Sequence, residues 1–313
     1  YCALPDRTSE TYGVIQPVHN SSSSNHATVL ATNKTNATAK NWKVQYRNND
    51  TDIPATTGSY VCSTPEPNMS RYITLTVTNG QAIRLDLKAA AAGTPVRIVS
   101  GSNTQDITVG TDWKGIASYT AGSTTMTVYG DLIGFDCSQN GANLTALDPS
   151  HNTQLTRLWC GNNNLSNLDV SKNTQLAWLY CYSNKLSSLD LSKNTQLRGL
   201  FCYGNNFSTA ALDDIYCSLP DRTSKTNGVI HPVLNSSDPN HATVLATNAA
   251  NATAKNWKVQ YYKNNSDITT TGSYDCSSSA AATAAEPALT LYPNPVADVL
   301  YLSATARTVR IYN

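Results

Sequence analysis

Charge is scarce in this sequence. Of 313 residues, 22 are Lys or Arg and 21 are Asp or Glu, leaving a formal net charge of +1. Without a basic excess there is no electrostatic footprint for nucleic acid and no polybasic patch for an anionic membrane. Methionine (2) and phenylalanine (3) are nearly absent, and no apolar run approaches the roughly 18 residues that a spanning helix needs. HExxH, GxSxG, Walker and GxGxxG sequences are all missing, so no metal, cofactor or nucleophile-elbow chemistry is expected, and the chain reads as a non-enzyme. No signal peptide opens the chain, which carries little weight because the chain is expected to start inside a module. Eight cysteines are too few for a disulfide scaffold at this length and are read position by position.

What is present is repetition. The segments LDPSHNTQLTRLWCGNNNLSN (147–167), LDVSKNTQLAWLYCYSNKLSS (168–188) and LDLSKNTQLRGLFCYGNNFST (189–209) align at a period of 21 residues. Asp148, Asp169 and Asp190 match, as do Asn152, Asn173 and Asn194, and then Leu158, Leu179 and Leu200. Cys160, Cys181 and Cys202 share one slot, and Asn163, Asn184 and Asn205 close each strand segment. Half a repeat precedes them at 132–147, with Cys137 in the cysteine slot. A unit this short cannot bury its own apolar stripe, so neighbours stack and share one core.

The pattern LxxLxCxxNxL resembles the leucine-rich repeat, in the form with a cysteine in the strand found in internalin-like surface proteins. The resemblance implies an α/β-type solenoid with parallel strands lining a concave sheet. Alternation along a strand turns Leu158, Leu179 and Leu200 inward together with the cysteines. Sulfurs stacked in single file about 4.8 Å apart cannot close a zinc tetrahedron, so the column is expected to be packing rather than a metal site. The intervening residues then face solvent: Arg157, Trp159 and Gly161; Trp178, Tyr180 and Tyr182; Gly199, Phe201 and Tyr203. Exposed aromatic clusters mark binding surfaces. The competing expectations are a cross-strand ladder that only stabilises the sheet, or a face covered by a neighbouring domain.

A second duplication is longer. Residues 1–53 recur at 216–268 with 40 of 53 positions identical. The later copy directly follows the repeats, where an array needs a C-terminal cap. Its expected elements are strands at 228–233 and 256–262 with a short helix over 240–256, capped by Asn240 or Asp238. Residues 1–62 are accordingly expected to cap a preceding repeat array, missing from this chain. Cys2 with Cys62, and Cys217 with Cys276, bracket the copies and read either as bridges or as buried thiols. His26 and His241, near the helix starts, read as capping or surface residues.

Residues 63–131 alternate apolar and polar residues between turns and form a β-rich N-terminal cap, with 63–70 as its leading linker and Trp113 in its core. The repeats span 132–215, the C-terminal cap 216–276, and a small-residue linker 277–288. In the last segment, 289–313, YPNPVADVLYL resembles the start of the C-terminal sorting domain of type IX secretion cargo, a domain expected to be only partly present here. That resemblance implies export across an outer membrane and attachment to the cell surface.

The functional expectation is a secreted or cell-surface, adhesin-like protein whose concave aromatic face binds a protein or glycan on a host or bacterial surface. The alternative is a structural spacer or self-association module. A glycan-degrading enzyme would need a carboxylate pair at the groove, and Asp136 alone lies near it.

Overall fold

The structure, a computed structural model, describes residues 1, 4, 11–57 and 66–276, and the backbone of 291–293 and 300–302. The chain divides into two compact units, Tyr1–Glu66 and Pro67–Asn313.

In the first unit, strand β1 (Gly13–Val18), helices α1 (His26–Leu30) and α2 (Thr35–Thr38) and strand β2 (Trp42–Tyr46) follow in order. β1 and β2 pair in parallel, Ile15 opposite Val44 and Val18 opposite Tyr46. Val18, Val29, Ala37, Val44 and Ile53 form a small core, with Tyr1, Leu4, Ile15, Leu30 and Trp42 packed on it at partial burial.

The second unit starts with β3 (Tyr72–Val77), β4 (Ala82–Ala89), β5 (Thr94–Ser100), β6 (Asn103–Val109), β7 (Ala117–Thr120) and β8 (Thr125–Tyr129). Strict alternation buries Ile73, Leu75 and Val77 on β3 and Ile83, Leu85 and Leu87 on β4. The solenoid strands follow: β9 (Leu132–Asp136), β10 (Leu144–Asp148), β11 (Arg157–Trp159), β12 (Trp178–Tyr180) and β13 (Gly199–Phe201). Helix α3 (Thr209–Ser218), β14 (Gly228–Val233), α4 (His241–Leu245), α5 (Ala250–Thr253) and β15 (Trp257–Tyr261) complete the cap. A last pair, β16 (Leu291–Pro293) and β17 (Leu300–Leu302), runs antiparallel. Most of the segment resembling a sorting domain lies outside the described residues.

One eight-stranded sheet carries the architecture, in the order β15-β14-β13-β12-β11-β9-β4-β7. From β15 to β9 every pair is parallel, and β4 and β7 join antiparallel. The leading β domain therefore supplies strands to the same sheet as the repeats. β10 leaves that sheet and pairs antiparallel with β3 in a five-stranded sheet, β10-β3-β8-β5-β6, so the half-repeat at 132–147 is shared between β domain and solenoid.

The expected α/β alternation is not what forms. Residues 132–208 contain no helix. Each return segment begins with an Asp side chain accepting from the backbone two residues on: Asp148 from Ser150 (2.9 Å), Asp169 from Ser171 (2.8 Å), Asp190 from Ser192 (2.8 Å). The next asparagine then spans to the coil before it: Asn173 donates to the Pro149 and Asn152 carbonyls and Asn194 to those of Val170 and Asn173. Side chains that hold backbone groups in turns compete with helix formation.

In the cap, the expected single helix over 240–256 is two short ones. Asn240 sits at the N-cap of α4 without a side-chain capping bond; its amide donates instead to the Asn205 carbonyl at 2.7 Å, tying cap to array. Asp238 accepts from the Asn240 and Leu234 amides. His26 and His241 cap nothing: each half-buried ring lies 2.7 Å from a tyrosine hydroxyl, Tyr46 and Tyr261 respectively. Ser208 caps α3 by accepting from Ala211, and the Lys255 ammonium closes its other end on the carbonyls of Tyr216, Cys217 and Leu219.

Cys217 and Cys276 form a disulfide across the second cap, with Cα atoms 5.4 Å apart. Cys2 and Cys62 lie outside the described residues.

Candidate functional site: the outward aromatic row

The inward face of the parallel sheet is closed. Leu158, Leu179 and Leu200, with Cys137, Cys160, Cys181 and Cys202, have no solvent exposure. Burial pushes all four thiols up, Cys181 to about 12, so they stay protonated and unreactive at neutral pH. Among the described residues no group of three or more His, Cys, Asp or Glu side chains is placed to hold a metal.

An asparagine ladder fixes where the strands leave the sheet. Asn163 donates to the carbonyls of Cys137 (2.9 Å) and Cys160 (3.0 Å), Asn184 to those of Cys160 (2.9 Å) and Cys181 (3.1 Å), Asn205 to those of Cys181 (3.0 Å) and Cys202 (2.9 Å). Each amide bridges two strands, which locks their register and the alignment of the outward side chains.

On the outward face the rings form a row that runs past the repeats at both ends. Centroid distances are 4.9 Å from Trp113 to Trp159, 5.1 Å from Trp159 to Tyr180, 4.0 Å from Tyr180 to Phe201 and 4.8 Å from Phe201 to His231. A second row places Tyr182 4.9 Å from Tyr203, and Tyr203 4.9 Å from Tyr262. Glycines seat the larger rings. A Cβ on Gly199 would collide with Trp178, and one on Gly161 with Tyr182. Arg198 places its guanidinium 5.3 Å from the Trp178 ring.

Five placements differ from the sequence expectation: Gly161 and Gly199 are buried beneath the Tyr182 and Trp178 rings, and Phe201, Tyr203 and Trp113 are also placed otherwise. Phe201 and Tyr203 are not open: they are 8% and 9% exposed, because His231 and Tyr262 of the cap close over them. Trp113 is no core residue; it lies half-buried beside Trp159, over Gly134. Arg157, Trp159, Trp178, Tyr180 and Tyr182 are half-buried, and Tyr262 is the most open ring of the row at 43%. Sequence alternation assigns a side chain to a face but does not say which neighbour covers it.

The rings also use their faces on each other. Tyr180 and Phe201 are within 7° of parallel and Tyr182 and Tyr203 within 13°. Trp178 and Tyr182 lean across the neighbouring strands, over Gly199 and Gly161 respectively. Burial, reinforced by neighbouring phenols, raises the pKa of Tyr180, Tyr182 and Tyr203, so these hydroxyls remain donors. The Trp159 indole Nε1 is buried without a partner.

A carboxylate pair that sequence reasoning missed lies at one end. Asp86 on β4 is in register with Asp136 on β9; the outward position of Asp86 in AIRLDLKA was the available signal. Desolvation raises the Asp136 pKa, with the Asp86 charge adding to it. Both carboxylates hold backbone: Asp86 accepts from Leu87 and Gly115, Asp136 from Ser138. That bonding makes them loop anchors.

No protein-family model matches the sequence, and no curated protein matches it. Among solved structures, the functional domain of InlJ from Listeria monocytogenes, described as including a cysteine ladder, is 25% identical over 42% of this chain. The chain spans 29% of that structure's length, and the TM-score is 0.26. The strand register above stands independently of that similarity.

Proposed function

We propose that this is a non-catalytic binding protein of the cell surface or secreted space, which recognises a partner protein through the outward aromatic row. The observation that carries the proposal is the row itself: eight rings, from Trp113 through the repeat strands β11, β12 and β13 to His231 and Tyr262 of the cap. Tyr180 with Phe201 and Tyr182 with Tyr203 use ring faces on each other, which leaves fewer faces for a sugar to stack on, and aromatic and phenolic groups suit a protein surface. The Cys217–Cys276 bridge fits an oxidising compartment. Among the described residues no helix is long and apolar enough to cross a membrane.

Screening the full chain against protein and glycan arrays, beside a Tyr182→Ala/Tyr262→Ala variant, tests the proposal. Protein binding that weakens by about 30-fold or more in a variant with unchanged far-UV dichroism supports it, the loss being that of one interface hot spot. Glycan binding alone, or protein binding untouched by the variant, contradicts it.

A further inference from the structure

The duplicated cap lets one copy serve as a template for the other. In the second copy, β14 gives its outer edge to β13 in parallel register: Val229 opposite Gly199, Ile230 opposite Leu200, His231 opposite Phe201. The junction is sealed by Val229 N to Arg198 O (3.0 Å), Cys202 N to His231 O (3.1 Å) and the Asn240 amide to Asn205 O (2.7 Å). It leaves Ile230 and Tyr216 at 0% exposure and Leu219 and Trp257 at 2%.

The first copy keeps every one of these side chains: Ile15, Tyr1, Leu4, Trp42 and Asn25. Yet Ile15, Tyr1, Leu4 and Trp42 are only partly buried and Asn25 is exposed. Among the described residues β1 pairs with β2 alone. Its edge carries Val14 at 44% exposure and no charged residue, and its one proline, Pro17, matches Pro232 of β14, which pairs on both sides all the same.

We infer that the free edge of β1, with the face formed by Tyr1, Leu4, Ile15 and Asn25, is a docking surface for the last strand of a leucine-rich repeat array. The occupant's chemistry follows from β13: a parallel strand, an aliphatic residue turned inward opposite Ile15, and an asparagine carbonyl at its exit to receive the Asn25 amide. This inference is independent of what the aromatic row binds.

The test places residues 67–215 directly before Tyr1 of the full chain, recreating the junction that precedes Tyr216. Amide exchange of Gly13–Val18 is then followed, with Gly228–Val233 of the same molecule as the internal standard. The expected result is exchange slowed by about 100-fold, as edge amides acquire strand partners, and reversal by Ile15→Asp. Unchanged exchange in a molecule whose added repeats are themselves protected overturns the inference. Added repeats that lack protection, in a molecule whose own 132–215 repeats are protected, mean that the first cap does not close an array and likewise overturn the inference. Protection of β1 that grows with the concentration of 1–313 alone assigns the edge to a second copy and also overturns it.

Discussion

In the second cap, His231 and Tyr262 close the aromatic row over Phe201 and Tyr203; the matching positions of the first cap hold Gln16 and Arg47. Around Gln16 the first cap is polar: its amide donates to Asp50 at 2.6 Å, and Lys43 sits 3.7 Å from the Tyr12 ring. The two copies agree at core and junction positions, from Ile15/Ile230 to Trp42/Trp257, and they part on the outward face. Packing fixes the first set, because a cap must fit the end of an array whatever that array binds. The outward set is free of that demand, and positions 16 and 47 diverge there from 231 and 262.

The largest expected effect breaks the comparison at the shared tryptophan. Trp257 is 2% exposed and its Nε1 donates to the Pro220 carbonyl at 2.8 Å, whereas Trp42 is only half-buried. Trp257→Ala should cost about 3–5 kcal/mol and Trp42→Ala clearly less, measured by denaturant unfolding with exchange-resolved reporters in each cap. Equal costs would mean that the first cap is as fully packed as the second.

Next comes the bridge. Replacing Cys217 and Cys276 with serine opens a loop of sequence separation 59, for which chain entropy gives about 4 kcal/mol. Thermal unfolding of the variant should show loss confined to the second cap, with the repeats retained.

A smaller effect comes from exchanging the outward residues. Tyr262→Arg gives the second cap the side chain of the first. It removes one ring stack and should cost about 1 kcal/mol of stability, while partner binding falls far more than stability does.

The smallest effect is a pH dependence. Burial depresses the His231 pKa, and the ring's Nδ1 must donate to the Gln260 carbonyl (3.2 Å), since a carbonyl only accepts. A histidine held neutral in the fold contributes stability above its unfolded pKa of about 6.5 and loses it as pH falls through the lower folded value. His231→Gln, the residue of the first copy, should flatten the stability curve below about pH 6.5 by about 1 kcal/mol or less. A variant with the same acid limb as the parent chain would count against the buried neutral ring.

Much of this was legible in the sequence. The 21-residue period alone turns Leu179 and Cys181 inward and Tyr180 outward, and the recurring Asn184 already suggested bonds at the strand exits. The cap strands expected at 228–233 and 256–262 form as Gly228–Val233 and Trp257–Tyr261. Coverage was not legible: nothing near Phe201 in the chain announces Tyr262, which arrives through the return of β15. Trp113 read as core because its segment is strand-like, but it lies beyond the end of β6, on the outward face. Gly161 and Gly199, gaps in an otherwise aromatic pattern, were the overlooked sign that neighbouring rings lie across adjacent strands.

The orientation of the parallel sheet can be tested directly through the sulfurs, since alternation ties them to the rings. Peptide-mapped labelling of the folded chain with a thiol reagent should leave Cys137, Cys160, Cys181 and Cys202 unmodified until global unfolding. Rapid labelling of Cys160 or Cys181 in the native protein would put the thiols on the open face and the rings inside, contradicting the account.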